Sequence, residues 1–269
     1  MKKVAAILAV LLLLGGVAWY CQRASVKARS SEADMIIAGL GGFRGILAEV
    51  VWFRADRLQD EGRYSEMAQL ANVLTSLEPY TPEVWSYAAW NLAYNISVMM
   101  PTPEDRWRWV DAGLKLLRDD GLRLNPASAE LHREIAWLFL SKIGGTIDDA
   151  SSLYAEKWRE TVDSAGGDWG KLKMEMSLIA YIDREYGAQD WRSPKASALY
   201  WAHRGLAQKP TGAVRAELRQ VLYQTLMMES LEDPRFAPRA LQAMRDAFVE
   251  APSLMLKDMI MRFRAKFSL

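Results

Sequence analysis

From Phe43 almost to the C-terminus, apolar residues recur every three or four positions, which is the spacing of one face of an α-helix. The series Met67, Leu70, Leu74 and Leu77 is one example. The sequence lacks a convincing alternation of apolar and polar residues, which would mark half-buried strands. The pattern therefore predicts an all-α protein assembled from pairs of helices.

Short breaks rich in proline and glycine interrupt this pattern, and such residues are typical of turns between helices. The breaks include Glu61-Gly62-Arg63, Pro101-Thr102-Pro103, Asn125-Pro126, Gly166-Gly167, Ser193-Pro194 and Asp233-Pro234. The segments between them predict helices near 170–187, 195–208, 212–231 and 237–250. A last helix is expected at 254–269.

The N-terminus follows a different pattern. Met1-Lys2-Lys3 precedes an unbroken apolar run over residues 4–20, which is typical of a signal-anchor. As a helix this run spans roughly 25 Å, slightly less than a bilayer core of about 30 Å. We expect residues 1–21 to be a signal-anchor, with a cleaved signal peptide or a buried core helix as alternatives, and residues 22–42 to be a linker. This predicts a single-pass protein of the bacterial inner membrane, with its body on the periplasmic side.

Composition narrows the function classes. The 269 residues carry 34 basic and 33 acidic side chains, a net charge of +1, whereas nucleic-acid binders usually carry a marked basic excess. The single cysteine excludes an internal disulfide framework and a thiolate cluster. The only two histidines, His132 and His203, lie in no recognisable catalytic or metal-binding motif. We therefore predict no catalytic residue, no metal and no cofactor.

A repeat is visible between residues 43 and 163. Gly62, Tyr64 and Glu66 precede a closing Leu77-Glu78-Pro79. This order resembles the tetratricopeptide repeat family, in which a Gly-x-Tyr-x-Glu turn joins two helices and a proline closes the unit. Gly62 is suited to ending the first helix because glycine readily adopts a positive φ.

Two further units follow in the same register. The second begins at Pro82, has Trp85 at the first aromatic position and closes at Leu124-Asn125-Pro126; the third starts near Ala129. A second helix of that third unit is expected to begin after Asp148-Asp149, because aspartate is a good N-cap residue. Residues 164–253 are interpreted as degenerate repeats. The chain is also similar to uncharacterised signal-anchored bacterial repeat proteins, and the resemblance implies a right-handed superhelix with a concave groove.

The resemblance implies where a partner would bind. Of eleven tryptophans, Trp90 and Trp137 fall at positions that the family places on the concave face. Asn91, Tyr94 and Asn95 stand on the first of these helices, and Arg133 on the second, so they complete the predicted partner-binding set. The alternative is that these tryptophans fill the core between helices.

The C-terminal segment 254–269 combines apolar residues with an excess of cations. Its apolar members include Met255, Met259, Met261, Phe263 and Phe267, and its cations are Lys257, Arg262, Arg264 and Lys266. Two interpretations stay open. The segment is either a final helix that buries its apolar side or a basic amphipathic element for a membrane or a partner.

These observations predict a membrane-tethered repeat scaffold in the cell envelope that binds a protein or peptide in its concave groove and does not bind nucleic acid. Two alternatives belong to other classes: a small-ligand or glycan binder, and a helical envelope hydrolase. A closed aromatic cavity would favour the ligand binder. A deep pocket with convergent carboxylates would favour the hydrolase.

Overall fold

The computed structural model describes residues 43–145 and 148–269, and every regular element in these ranges is helical. The predicted all-α class is therefore confirmed for this part of the chain. The α-helices are α1 (Phe43–Asp60), α2 (Tyr64–Leu77), α3 (Pro82–Trp90), α4 (Pro103–Lys115), α5 (Ala129–Trp137), α6 (Ser151–Ala165), α7 (Met176–Tyr186), α8 (Pro194–Ala207), α9 (Gly212–Glu232), α10 (Ala237–Glu250) and α11 (Leu254–Phe267).

The chain divides into two units after Val84. In the first unit α1 packs against α2, and Leu58, Met67 and Leu74 are almost fully buried between them. The turn between these helices contains Gly62 with φ of +70°. A positive φ is accessible to glycine at little cost, so the predicted role of Gly62 is confirmed. The side chain of Tyr64 lies outside what the structure describes.

The second unit begins at Trp85 and contains its own core. Helix α8 packs against both α5 and α9. The seven consecutive side chains from Ala196 to Ala202 are buried, as expected for a helix enclosed by neighbours on all sides. Trp85, Trp158 and Trp201 are also buried. The core-filling interpretation therefore holds for these three tryptophans.

Helix starts follow the chemistry of the sequence. Four helices, α4, α5, α8 and α11, begin with a side-chain oxygen that accepts a hydrogen bond from a backbone N–H; the residues are Thr102, Ser128, Ser193 and Ser253. These bonds satisfy N–H donors that the first turn of a helix leaves unpaired. Helix α6 begins at Ser151, shortly after Asp148-Asp149 as expected, but the expected aspartate cap is wrong. Ala150 precedes α6 and supplies no side-chain cap, because the Asp148 carboxylate is held by other groups.

Three π-helical turns occur in the second unit. Asn91–Ile96 continues α3, Leu116–Gly121 continues α4 and is followed by one further α-helical turn at Leu122–Leu124, and Leu138–Ile143 continues α5. We call the last of these the third π turn. π-Helical turns are rare and often occur at functional sites. The sequence pattern did not predict them, and the third one lies at the site described below.

None of the helices in the described ranges is long and apolar enough to cross a bilayer. The predicted signal-anchor at 1–21 and the linker at 22–42 lie outside the described ranges. The predicted helices at 195–208, 212–231 and 237–250 correspond closely to α8, α9 and α10. The predicted helix at 170–187 is shorter, because a 3-10 turn at Trp169–Leu172 precedes α7.

Candidate functional site

A cavity of about 590 Å³ opens between three helical faces of the second unit. Its lining residues are Trp137, Leu140 and Ser141 from α5 and the third π turn, Gln224, Met227, Met228 and Leu231 from α9, and Met259, Arg262, Phe263 and Lys266 from α11, with Gly145 completing the wall. Within each helix these residues follow i, i+3 and i+4 spacing, so each set forms one face. We call this space the methionine cavity.

The surface of the methionine cavity is predominantly apolar. Met227, Met228 and Met259 contribute thioether side chains, and Phe263 contributes a buried ring. Methionine is unbranched and polarisable, so it adapts to apolar groups of different shapes. Leu231 lines the same cavity and is 60% exposed. The cavity is therefore open to solvent and suited to receiving an apolar group from outside.

Two cations from α11 line this space. Arg262 and Lys266 are both exposed and stand one helical turn apart. Arg262 Nε lies 2.8 Å from a carboxylate oxygen of Asp258, with both side chains largely exposed. Such a surface ion pair contributes only about 0–1 kcal/mol. The cations are therefore accessible to an anionic group on whatever occupies the cavity.

Helix α11 is the predicted C-terminal helix, and the structure supports its packing role. Leu256 and Phe263 are buried, whereas Leu254 and Met261 are exposed on the opposite face. The helix contacts α10, and its inner face supplies one wall of the methionine cavity. The interpretation as a final packed helix is therefore supported, and the interpretation as a membrane- or partner-binding element stays a prediction.

The predicted aromatic residues meet beside this cavity. Trp90 is 44% exposed, and its ring stacks on Tyr94 with centroids 5.5 Å apart. The Tyr94 hydroxyl lies 2.7 Å from Ser141 Oγ, and Ser141 Oγ donates to the Trp137 carbonyl. Because the Ser141 hydroxyl donates its only proton to the Trp137 carbonyl, the Tyr94 hydroxyl donates the hydrogen bond to Ser141 Oγ. The chain of contacts thus links Trp90 to the Ser141 wall of the cavity.

The other predicted partner-binding residues have different surroundings. Asn91 is fully buried, and Asn95 Nδ2 donates to its side-chain oxygen over 3.2 Å. Arg133 contacts Glu134 at 2.6 Å and Glu217 at 3.2 Å. Since these carboxylates balance its charge, Arg133 is not positioned as an isolated cation for a peptide carboxylate. Trp90, Tyr94 and Trp137 are the members of the predicted set that the structure connects to the cavity.

A buried ion pair holds the third π turn to the segment that follows it. Lys142 and Asp148 side chains are 3% and 4% exposed, and their charged groups are in hydrogen-bond contact. Asp148 also accepts from the Ala150 N–H at 2.9 Å and from the Tyr154 hydroxyl at 3.3 Å. Burial opposes ionisation of Asp148, but the hydrogen bonds from Lys142 and Ala150 outweigh it and lower the pKa of this carboxyl.

The titratable groups around the third π turn make hydrogen bonds and ion pairs that stabilise the fold. Burial raises the pKa of Tyr94 to about 12, so this phenol is neutral near pH 7. Lys142 is paired with an ionised carboxylate. Tyr94 therefore lacks the intermediate pKa that general acid–base catalysis favours. Around the described cavity the arrangement therefore favours binding by shape and apolar contact.

His132 is buried and His203 is partly buried, and neither residue lines the cavity. Burial lowers the pKa of His132 and of His203 to about 4. His132 Nδ1 lies 2.7 Å from the Ser128 carbonyl oxygen, and His203 Nε2 lies 2.9 Å from the Tyr186 hydroxyl. Within the described ranges no group of three or more His, Cys, Asp or Glu side chains is arranged to hold a metal ion.

Sequence reasoning missed the α9 wall. Gln224, Met227, Met228 and Leu231 follow i, i+3, i+4 and i+7 spacing, which is a recognisable helical stripe. This stripe carries no mark that distinguishes an open cavity wall from a core contact. The sequence analysis singled out the methionines of the C-terminal segment, but it had no means of pairing them with α9.

Comparisons of the chain with protein-family models, with curated proteins and with solved structures find no match.

Proposed function

We propose that this protein is a helical-repeat scaffold that binds an apolar segment of a partner protein without covalent chemistry. The observation that carries the proposal is the methionine cavity with its three helical walls. Grooves of this kind, lined by flexible methionine side chains, accept the apolar face of an amphipathic segment. The bound segment would place one or two large apolar side chains between α9 and α11.

A polypeptide is favoured as the occupant because Trp90, which is 44% exposed, is linked through Tyr94 to the cavity wall. The stacked Trp90–Tyr94 pair contacts Ser141, which belongs to the cavity wall. An elongated ligand can use both surfaces, and exposed tryptophan and tyrosine are frequent anchors in protein interfaces. Arg262 and Lys266 would then favour acidic residues beside the apolar anchors of the partner.

The location and the repeat architecture are parts of the same proposal. Residues 4–20 would tether the scaffold to the bacterial inner membrane, with the helical body on the periplasmic side. The helix pairs α1/α2 and α8/α9 pack as neighbours in sequence, as a tetratricopeptide-like arrangement requires. The right-handed superhelix is the finer statement proposed on this basis.

A small amphipathic ligand is the second candidate. The cavity volume of about 590 Å³ falls inside the range of roughly 300–1,000 Å³ that is common for small-molecule sites. An apolar chain could lie between the methionines while an anionic head contacts Arg262 and Lys266. The hydrolase alternative has less support, because the described lining residues include no carboxylate.

Site-specific photo-cross-linking tests the proposed function. A photoreactive residue replaces Met228 in the full-length chain, and cells are irradiated before membrane extraction. The matched control carries the same residue at Val249, which is 79% exposed and does not line the cavity. We expect one defined partner from Met228, cross-linked through an apolar peptide, and none from Val249.

Two results separate the alternatives. Equal cross-linking from both positions, or a Met228 cross-link that survives Met227→Asp, would overturn binding in the cavity. Native mass spectrometry of the gently extracted protein covers the second candidate. A bound mass in the lipid range, lost in Met227→Asp, would replace the protein segment with a small amphipathic ligand.

A further inference from the structure

Helix α1 has two apolar faces, and only one of them is covered in the structure. Ala48, Ala55 and Leu58 are almost fully buried. Ile46, Val50 and Phe53 are 61%, 62% and 73% exposed. A helix that only had to pack against α2 would need a single apolar stripe. The second stripe therefore calls for a separate explanation.

Ile46, Val50 and Phe53 form a narrow line along the helix, and Leu47, which is 37% exposed, lies about 100° to one side of it. At about 100° per residue, positions 46, 50, 53 and 57 project within roughly 60° of one another and nearly opposite Ala48 and Ala55. The alternating steps of four and three residues follow the heptad spacing of a coiled-coil seam. We call Ile46, Val50, Phe53 and Arg57 the outer stripe.

Charges flank the outer stripe asymmetrically. Glu49 lies on one side of the seam and Arg54 on the other, and both side chains are exposed. In heptad terms Val50 stands at an a position, Glu49 at the preceding g position and Arg54 at an e position. In a parallel two-stranded coiled coil a g residue faces the e residue five positions later on the other chain. Glu49 of each chain would thus face Arg54 of the other.

An antiparallel arrangement lacks this complementarity, because it places g beside g and e beside e. Glu49 would then approach Glu49, and Arg54 would approach Arg54. The polar Arg57 at an a position also fits a two-stranded seam, since a single polar residue there specifies register at some cost in stability. The charge pattern therefore favours a second copy of this chain in parallel orientation.

We propose that two copies of this protein associate through a parallel pairing of α1 along the outer stripe. The seam is short, and isolated short helices are marginally stable in water. Confining both chains to one membrane raises their effective concentration and orients them alike. That contribution rests on the proposed tether at 4–20, whereas the apolar stripe and its flanking charges do not depend on it.

Disulfide cross-linking of the full-length protein in membranes tests the orientation. Cys21, the only cysteine, is first replaced by Ser, and Ile46→Cys is introduced near one end of the stripe. In the parallel dimer the two introduced thiols meet, so mild oxidation should give a disulfide-linked dimer. Gln59→Cys is the control, because Gln59 is exposed on the same helix but projects away from the stripe. We expect roughly fivefold less dimer from the control.

A charge exchange tests the pairing itself. In the Ile46→Cys background Glu49→Lys should reduce the dimer yield roughly fivefold by placing two cations together, and adding Arg54→Glu should restore it. Both positions are exposed, and circular dichroism would verify that helix content is unchanged. Equal dimer yields from positions 46 and 59, or failure of the double variant to recover the yield, would overturn the proposal. So would a disulfide between Ile46→Cys on one chain and Arg57→Cys on the other, because only an antiparallel pair brings these positions together. These measurements do not depend on the methionine cavity. Failure of the dimer proposal can therefore be distinguished from failure of the proposed function.

Discussion

The outer stripe of α1 and the methionine cavity are both apolar surfaces left open to solvent, but they differ in shape and chemistry. The stripe is a single line of Ile46, Val50 and Phe53 on one helix. The cavity is a concave space of about 590 Å³ between three helical faces. A line of side chains on one helix suits another helix beside it, whereas a concave space suits a projecting group. The two surfaces therefore lead to two separate proposals about binding.

The supporting structure also differs between these surfaces. The outer stripe belongs to a helix whose opposite face is anchored by Leu58 and Ala55. The wall of the cavity contains the third π turn, which a buried Lys142–Asp148 pair ties to the following segment. Apolar packing is therefore the main support of the first surface. A buried charge pair supports the second, and removing one of its charges should have the larger effect.

The largest stability change is expected from Asp148→Ala. It leaves the Lys142 ammonium buried without its partner, which typically costs about 3–5 kcal/mol. Urea denaturation, followed by a signal from the second unit, measures the loss. Asp149→Ala is the matched control, because Asp149 contacts Arg106 but is 84% exposed. If the two variants lose equal stability, the buried pair does not support the cavity wall.

The two faces of α1 provide the next largest contrast. Leu58→Ala deletes a side chain that is 1% exposed and should cost about 2–5 kcal/mol of unfolding free energy for the first unit. Phe53→Ala removes a side chain that is 73% exposed, so its cost to the isolated chain should stay within about 0.5 kcal/mol. Denaturant titration at low protein concentration compares them. A large cost for Phe53→Ala in the monomer would mean that the outer stripe is part of the fold.

Acidification should lower the unfolding free energy of the second unit more than that of the first unit. Both histidines lie in the second unit, and their pKa values of about 4 are below the ordinary value of about 6.5. Between these values the unfolded chain binds more protons, so unfolding free energy falls as the pH falls from about 6.5 to 4. At pH 5 each histidine should remove roughly 2 kcal/mol from the second unit.

A single substitution checks the source of this pH dependence. His203→Gln should remove about half of the loss between pH 7 and pH 5, because one of the two titrating groups is gone. The first unit, which contains no histidine, should show no histidine-linked change over the same interval. A pH dependence that is unaltered in His203→Gln would assign it to other groups.

The smallest stability effect is expected within the cavity. Met259→Leu conserves volume and apolarity, so its cost should be below about 1.5 kcal/mol. Leucine is branched and stiffer than methionine, so partner affinity should fall more than stability does. Thermal unfolding and the Met228 cross-linking yield would be compared. Unchanged cross-linking would argue that methionine flexibility is not needed for binding.

Local chemistry in the sequence anticipated much of the fold. Proline and glycine breaks located α8 to α11 closely, and Gly62 ended the first helix with the expected positive φ. These features depend on residues near one another in the chain. Asp148 shows the limit of the approach. Aspartate is a good helix-capping residue, but the Asp148 carboxylate forms an ion pair with the buried Lys142 instead. No local sequence pattern predicts this pairing.

The candidate site was predictable only in part, because it is assembled from distant segments. Trp137 and the methionines of the C-terminal helix were visible as candidates, but their meeting with Met227 and Met228 depends on how three helices pack. The third π turn also changes which side chains of α5 face this space. The outer stripe, in contrast, follows from helical periodicity once burial shows which of the two apolar faces is covered.

Methionine methyl resonances test the central claim, that the methionine cavity receives the apolar segment of a partner. The chain is labelled with ¹³C-methyl methionine, and a synthetic peptide of the segment cross-linked at Met228 is added. Met227, Met228 and Met259 line the cavity, whereas Met261 is 62% exposed and projects from the opposite side of α11. We predict saturable shifts of the first three resonances with that of Met261 unchanged. A shift confined to Met261, or no shift of the cavity methionines at saturating peptide, would contradict the account.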